Sequence, residues 1–158
     1  MKKLLLALLF LGFAQSTIFA QLFESKSAFG VRYAVPSGTT ADLFDYGIGT
    51  TGTVNIPVVP LLEITVEGSW HMLKGKELIA GNSDLKADDL SILGFVAGPV
   101  LNLGIVDLGV KGGYFFDDIH EWVLFPFAQV DIFMFSLGAE YKALGDTKWA
   151  SAYINLTF

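Results

Sequence analysis

Trp149-Ala150-Ser151-Ala152-Tyr153-Ile154-Asn155-Leu156-Thr157-Phe158 alternates without a break to the end of the chain. Successive side chains of a strand point to opposite faces, so Ala150, Ala152, Ile154, Leu156 and Phe158 share one face. Trp149, Ser151, Tyr153, Asn155 and Thr157 share the other. A wholly apolar row that finishes on an exposed aromatic residue has no use in water. It predicts a strand with lipid against one face and a polar lumen against the other.

The same period recurs along the chain. Strand character is read over residues 28–35, 46–56, 62–72, 90–101, 105–116, 122–130, 132–143 and 149–158, most of them near the roughly 9–11 residues of a tilted membrane strand. The connections alternate: long or charged at 36–42, 73–88, 117–121 and 144–147, and short at 57–60, 102–104 and Asp131. Long loops on one side and tight turns on the other are expected of an up-and-down barrel, with both termini on the periplasmic side when the strand number is even. Within four of the segments, charge and apolarity separate by parity. Phe29, Val31, Tyr33 and Val35 oppose Arg32, and Leu62, Ile64, Val66 and Trp70 oppose Glu63, Glu67 and His71. Val106, Leu108, Val110 and Tyr114 oppose Asp107 and Lys111, and Phe133, Phe135, Leu137 and Tyr141 oppose Glu140 and Lys142. A Lys or Arg facing lipid at the bilayer midplane costs about 2–4 kcal/mol, so this segregation is what a barrel in lipid requires. The stretches 92–97 and 124–128 are apolar at both parities and leave their facing open. Pro126 lacks a ladder donor and predicts a bulge.

The other end of the chain fits an exported protein. Met1-Lys2-Lys3 is basic, Leu4 to Phe13 is apolar, and Gln15-Ser16-Thr17-Ile18-Phe19-Ala20 reads as the segment before the cut, the pattern of a signal peptide cleaved after residue 20, with Ala14 as the alternative site. The apolar stretch falls well short of the roughly 20 residues a spanning helix needs. Residues 21–158 then form one domain, with no linker composition to divide them. The chain contains no cysteine, which excludes disulfides and thiolate metal sites. Apolar residues make up 53% of the sequence and aromatic ones 14%, yet no segment after the leader is a helical span. A closed barrel reconciles the two, since only helices and closed barrels satisfy every backbone group in lipid. Without Lys2 and Lys3, eight basic residues face sixteen acidic ones, which argues against nucleic-acid binding. Asp42, Asp45, Glu77, Asp84, Asp88, Asp89, Asp117, Asp118, Glu121 and Asp146 fall in or beside the long loops and predict a solvated acidic rim.

On these residues the chain resembles the small bacterial outer-membrane β-barrel proteins of the OmpA, OmpX and OmpW type. The expected fold is all-β, an eight-stranded antiparallel up-and-down transmembrane β-barrel. The resemblance implies that Tyr153, Ile154, Leu156 and Phe158 form the signal read by the barrel assembly machinery. It also implies a monomer in contact with outer-membrane lipid and lipopolysaccharide, with surface-exposed loops and no cofactor.

An eight-stranded barrel has an interior just wide enough for side chains to fill, so a plugged lumen is expected rather than an open pore. Arg32, Glu63, Glu67, Asp107, Lys111, Glu140 and Lys142 supply both signs of charge to it and are read as one lumenal salt-bridge network. Gly30, Gly109, Gly113 and Gly138 leave room beside large inward residues. A structural or surface-interaction role is the leading expectation. The alternative is a narrow channel or binding barrel for small apolar molecules, favoured if Phe115, Phe125 or Phe127 and Trp149 converge on an open lumen and opposed if Arg32 bridges a filled one. Enzymatic activity is not expected. Glu67-Ser69-His71 is the one nucleophile-and-base constellation, and it lacks the order found in lipid A deacylases. A metal site is not expected from two histidines and scattered carboxylates. A soluble secreted or periplasmic lipocalin-like barrel, suggested by Gly68-Ser69-Trp70, would be polar outside and apolar inside, the reverse of the parity above.

Overall fold

Alternation along each segment resolves into ten strands and one short helix in a computed structural model that describes residues 25–80 and 83–158. The leader expected over residues 1–20 lies outside the described residues. The elements are β1 (Lys26–Ser37), α1 (Thr40–Leu43), β2 (Phe44–Val59), β3 (Leu62–Gly75), β4 (Glu77–Ala80), β5 (Ser83–Lys86), β6 (Leu90–Asn102), β7 (Val106–Asp117), β8 (Glu121–Ile132), β9 (Phe135–Leu144) and β10 (Thr147–Thr157). Eight of these strands close into an antiparallel barrel in the order β1-β10-β9-β8-β7-β6-β3-β2. β4 and β5 pair with each other as a small hairpin in the longest connection. Closure by β1 on β10, from Ala28↔Thr157 to Ser37↔Lys148, removes the free edges of the sheet.

The loops after β1, β3, β7 and β9 lie at one end, and the turns after β2, β6 and β8 at the other, with the described termini. Backbone bonds between Ser27 and Phe158, at 3.1 and 2.8 Å, tie the chain ends together at the turn end. At the loop end, α1 is anchored to the β9–β10 turn. Thr40 Oγ1 donates to the Asp146 carbonyl at 3.2 Å and accepts from the Lys148 N–H at 2.7 Å.

Three features differ from the expectations above. The turn expected at Asp131 lies at Phe133 and Met134, because β8 continues to Ile132 and pairs it with Phe135. The turn expected at 57–60 is confined to Pro60 and Leu61, since the ladder carries Val59 opposite Leu62. Pro126 makes no bulge. Instead, the β8–β9 ladder stops at Phe127↔Glu140, one residue short of it.

Outward positions carry Val31, Tyr33, Val66, Leu108, Leu137, Ile154 and Leu156, all exposed, and inward positions carry Arg32, Glu67, Lys111, Glu140 and Lys142, all buried. The structure also orients the two strands whose facing alternation leaves open. Ile92, Val96 and Val100 of β6 and Val123, Phe125 and Phe127 of β8 point inward, while Phe95, Leu101 and Leu124 point outward. Large inward rings fit because glycines face them. A Cβ on Gly138 would collide with the Tyr153 ring, and one on Gly109 with the Phe127 ring. Gly138→Ala is therefore expected to destabilise the barrel by about 1–3 kcal/mol through overpacking. Urea unfolding measures the loss, which should shrink when Tyr153 is also shortened to Leu.

Candidate functional site

The lumen is stratified. Towards the loop end, Leu73, Ile92, Phe115, Val123, Phe125, Leu144 and Trp149 pack into one apolar cluster, with Phe44, Leu90 and Ile119 set against it. Below it lies a layer of charged side chains, and towards the turn end the interior becomes polar, with Glu63, Asp131 and Lys26 around it.

Four strands, no two of them adjacent in the barrel, build the charged layer by presenting long side chains inward at a similar depth: one each from β1, β3 and β7 and two from β9. Arg32 of β1 grips Glu67 of β3 with both terminal nitrogens, Nη1 to Oε1 at 2.7 Å and Nη2 to Oε2 at 2.8 Å. This forked geometry is the strongest form of ion pair and fixes orientation as well as energy. Lys111 of β7 donates to the same Glu67 carboxylate at 2.5 Å. On the other side of Arg32, its Nη1 lies 3.1 Å from Glu140 Oε1, and Lys142 Nζ lies 2.6 Å from that oxygen. Three cations thus share two carboxylates. Lys142 also meets His71 Nε2 at 3.0 Å. Aromatic faces complete the solvation: Arg32 lies 5.1 Å from the Tyr153 ring centroid, Lys111 4.2 Å from that of Phe127, and Lys142 4.8 Å from that of Phe125. Ring quadrupoles attract desolvated cations, by about 2 kcal/mol or more at buried sites.

Of the seven charged residues named from sequence, Arg32, Glu67, Lys111, Glu140 and Lys142 meet here. Asp107 and Glu63 do not. Asp107 is buried nearer the turn end, where its Oδ2 accepts from Gln129 Nε2 at 3.0 Å. The same nitrogen reaches Asp131 Oδ1 at 3.2 Å. Glu63 stands two inward positions below Glu67 and lines a small polar vestibule with Lys26, Asp131 and Asn155. The constellation Glu67-Ser69-His71 is not assembled as a nucleophile and base. Glu67 is engaged by Arg32 and Lys111, His71 Nε2 by Lys142, and Ser69 Oγ is buried without a hydrogen bond among the described residues. Tyr153 faces the lumen, whereas Ile154, Leu156 and Phe158 are exposed on the outer surface.

Reasoning from sequence put His71 on the inward face and named Phe115, Phe125 and Phe127 as rings that could converge there, but it missed their contacts with Lys142 and Lys111. The signal was available for Phe115 and Phe127, through the small Gly94 and Gly109 opposite them in the ladders.

No protein-family model and no curated protein matches the chain. Solved structures do. Ail, the attachment invasion locus protein of Yersinia pestis, seen in a phospholipid bilayer nanodisc, aligns over 85% of this chain and 99% of its own with a TM-score of 0.55 and 17% identity. A de novo designed transmembrane β-barrel aligns over 84% of this chain and 95% of its own, at a TM-score of 0.54 and 15% identity. The fold is that of the small outer-membrane β-barrels. Ail in complex with the heparin analogue sucrose octasulfate aligns with a TM-score of 0.51 at 15% identity, covering 85% of this chain and 97% of that one. For a small outer-membrane barrel fold, the arrangement of charge has a direct physical consequence. The lumen is closed at mid-depth by a cross-linked set of side chains and above it by a dry apolar cluster. The side chains of both layers are buried, and side chains filling the interior are the rule for barrels of this strand number.

Proposed function

We propose that this chain is a non-enzymatic integral protein of the bacterial outer membrane, with a structural or surface-interaction role carried by its loops. The observation that carries the reading is the inside-out distribution of its side chains: an apolar belt around the outer surface and ion pairs in the lumen. A soluble ligand-carrying barrel needs the opposite distribution. The loop end then faces outside the cell and the turn end the periplasm. Export by a leader over residues 1–20, insertion by the assembly machinery through the strand ending at Phe158, and a monomer surrounded by lipid and lipopolysaccharide complete the proposal.

Charge argues for a partner class different from that seen with Ail. Its bound heparin analogue is polyanionic, whereas the loops here concentrate Asp and Glu. Partners of an acidic rim are cationic or neutral surfaces, since like charges repel at contact. The reading of the lumen as an axial conduit for small apolar molecules is disfavoured. Phe115, Phe125 and Trp149 do converge, but on a filled interior beneath which Arg32 bridges Glu67 and Glu140.

The test is expression of the full chain in a Gram-negative host, followed by fractionation and gel electrophoresis with and without boiling. The expected result is a band in the outer-membrane fraction whose mobility changes on heating. Soluble periplasmic protein with no heat-dependent shift would overturn the proposal.

A further inference from the structure

The turn end of the barrel carries apolar bulk where tight turns ordinarily carry glycine or short polar residues. Pro60 and Leu61 join β2 to β3, Leu103 to Ile105 join β6 to β7, and Phe133 and Met134 join β8 to β9. These three turns contain no polar side chain. Leu61 is 61% exposed, Ile105 is 69% exposed and Phe133 is fully exposed. Leu61 and Phe133 also hold φ at 69° and 56°. That is the left-handed region, where a bulky side chain is an outlier and where two-residue hairpins favour Gly or Asn. Apolar bulk is thus kept at this end against the preference of the backbone.

The outer surface beside the turns has the same character. Val58 of β2, Leu101 of β6, Ile132 of β8 and Phe158 after β10 carry the outward rows into the turn end with no polar residue between. Tyr33, Tyr46, Trp70, Tyr114, Trp122 and Tyr141 are the outward Tyr and Trp residues among those described, and each lies in the half of its strand nearer the loops. Towards the turns the outward rings are Phe29, Phe133, Phe135 and Phe158, which have no polar atom to offer a headgroup. Amphipathic rings mark the level where a membrane meets water, and transmembrane barrels ordinarily carry a girdle of them at both boundaries. Measured down β8 from Trp122, strand at about 3.3 Å per residue and tilted about 40° reaches Ile132 after about 25 Å, the height of a lipid-facing band. The turns lie immediately below that level. We propose that the turn end is seated in the periplasmic leaflet itself, with Leu61, Leu103, Ile105, Phe133 and Met134 inserted as an apolar ring where phospholipid headgroups meet acyl chains. The inference rests on the membrane location and orientation proposed above. Phospholipid is the occupant because the ring continues the lipid-facing rows and is contributed by strand pairs spaced around the barrel. A protein partner seated on it would also cover the polar vestibule of Lys26, Glu63 and Asp131, whereas headgroups around the mouth leave that vestibule solvated.

The chain has no cysteine, so a single nitroxide label can be placed at any chosen residue. Three variants of the full chain are compared in phosphatidylcholine vesicles formed with a water-soluble nickel chelate on both sides of the bilayer. Asp88→Cys labels an exposed residue of the loop before β6, Val66→Cys labels the lipid-facing wall, and Phe133→Cys labels the ring. The label at Phe133 should collide with nickel several-fold less often than the label at Asp88, and the label at Val66 less often still. Ile105→Cys carries the same test should Phe133→Cys not fold. Nickel contact in the ring equal to that at Asp88, with Val66 shielded, overturns the seating and leaves the membrane reading in place. Nickel contact at Val66 equal to that at Asp88 shows that the membrane reading has failed and takes the seating with it.

Discussion

Replacing Glu67 by Gln lowers the unfolding free energy of the barrel by about 3–5 kcal/mol, the cost of leaving buried charges without their partner. One carboxylate holds both terminal nitrogens of Arg32 and the ammonium of Lys111. Gln keeps the volume but loses the charge, and it offers a single accepting oxygen where two were in use. Its amide donors then face two cations. Glu140 cannot compensate, since it already lies against Arg32 and Lys142. Urea unfolding of the refolded protein measures the effect. With a slope of about 1–3 kcal/mol per molar, the midpoint should fall by about 1 M or more. Glu63→Gln, outside the layer, is the control and should shift it far less. Equal shifts in the two variants would show that the layer adds nothing specific to stability.

Val66→Arg, one residue away, should cost about 2–4 kcal/mol for a different reason. Val66 faces outward and is paired with Val54 and Ala97, with ladder rungs on both sides of it. A guanidinium there meets hydrocarbon with no carboxylate in reach. The measurement is again the urea midpoint, made in lipid vesicles so that the outer surface is solvated by acyl chains. In a short-chain detergent, which admits water to the barrel wall, the loss should be smaller. A neutral result in vesicles would mean that this face does not contact lipid and would overturn the membrane assignment. Val66 and Glu67 are adjacent in sequence and opposite in environment, so the pair probes both sides of the wall.

Both environments are legible in the sequence. In β1, β3, β7 and β9 every inward charge stands among apolar neighbours of the opposite parity, so the side of each residue follows from the pleat alone. β6 and β8 resist such a reading because their inward residues belong to the apolar cluster at the loop end, where Ile92, Phe115, Phe125 and Trp149 pack together. There the inside is as dry as the outside, and alternation carries no contrast to read. The turn at Phe133 and Met134 escapes for a related reason. Asp131 has the chemistry of a turn residue, but its backbone is held in the ladder opposite Ser136.

Membership of the charged layer divides along the same line. Parity sends Glu63, Glu67, Asp107 and Lys111 to the same interior. Which of them meet depends on how far each strand is staggered against the next around the closed barrel, a quantity set by every ladder at once. That stagger brings Arg32, Glu67 and Lys111 from three strands to one depth and leaves Asp107 with Gln129. It also lets His71 touch Lys142 across the lumen at 3.0 Å. The sequence by itself determined the strand period, the lipid-facing rows and the sign of the interior, because these are local consequences of a two-residue repeat. The tertiary structure alone decided the partners of each buried charge, the apolar layer above them and the early end of the β8–β9 ladder at Phe127, because each depends on where distant strands come to rest when the barrel closes.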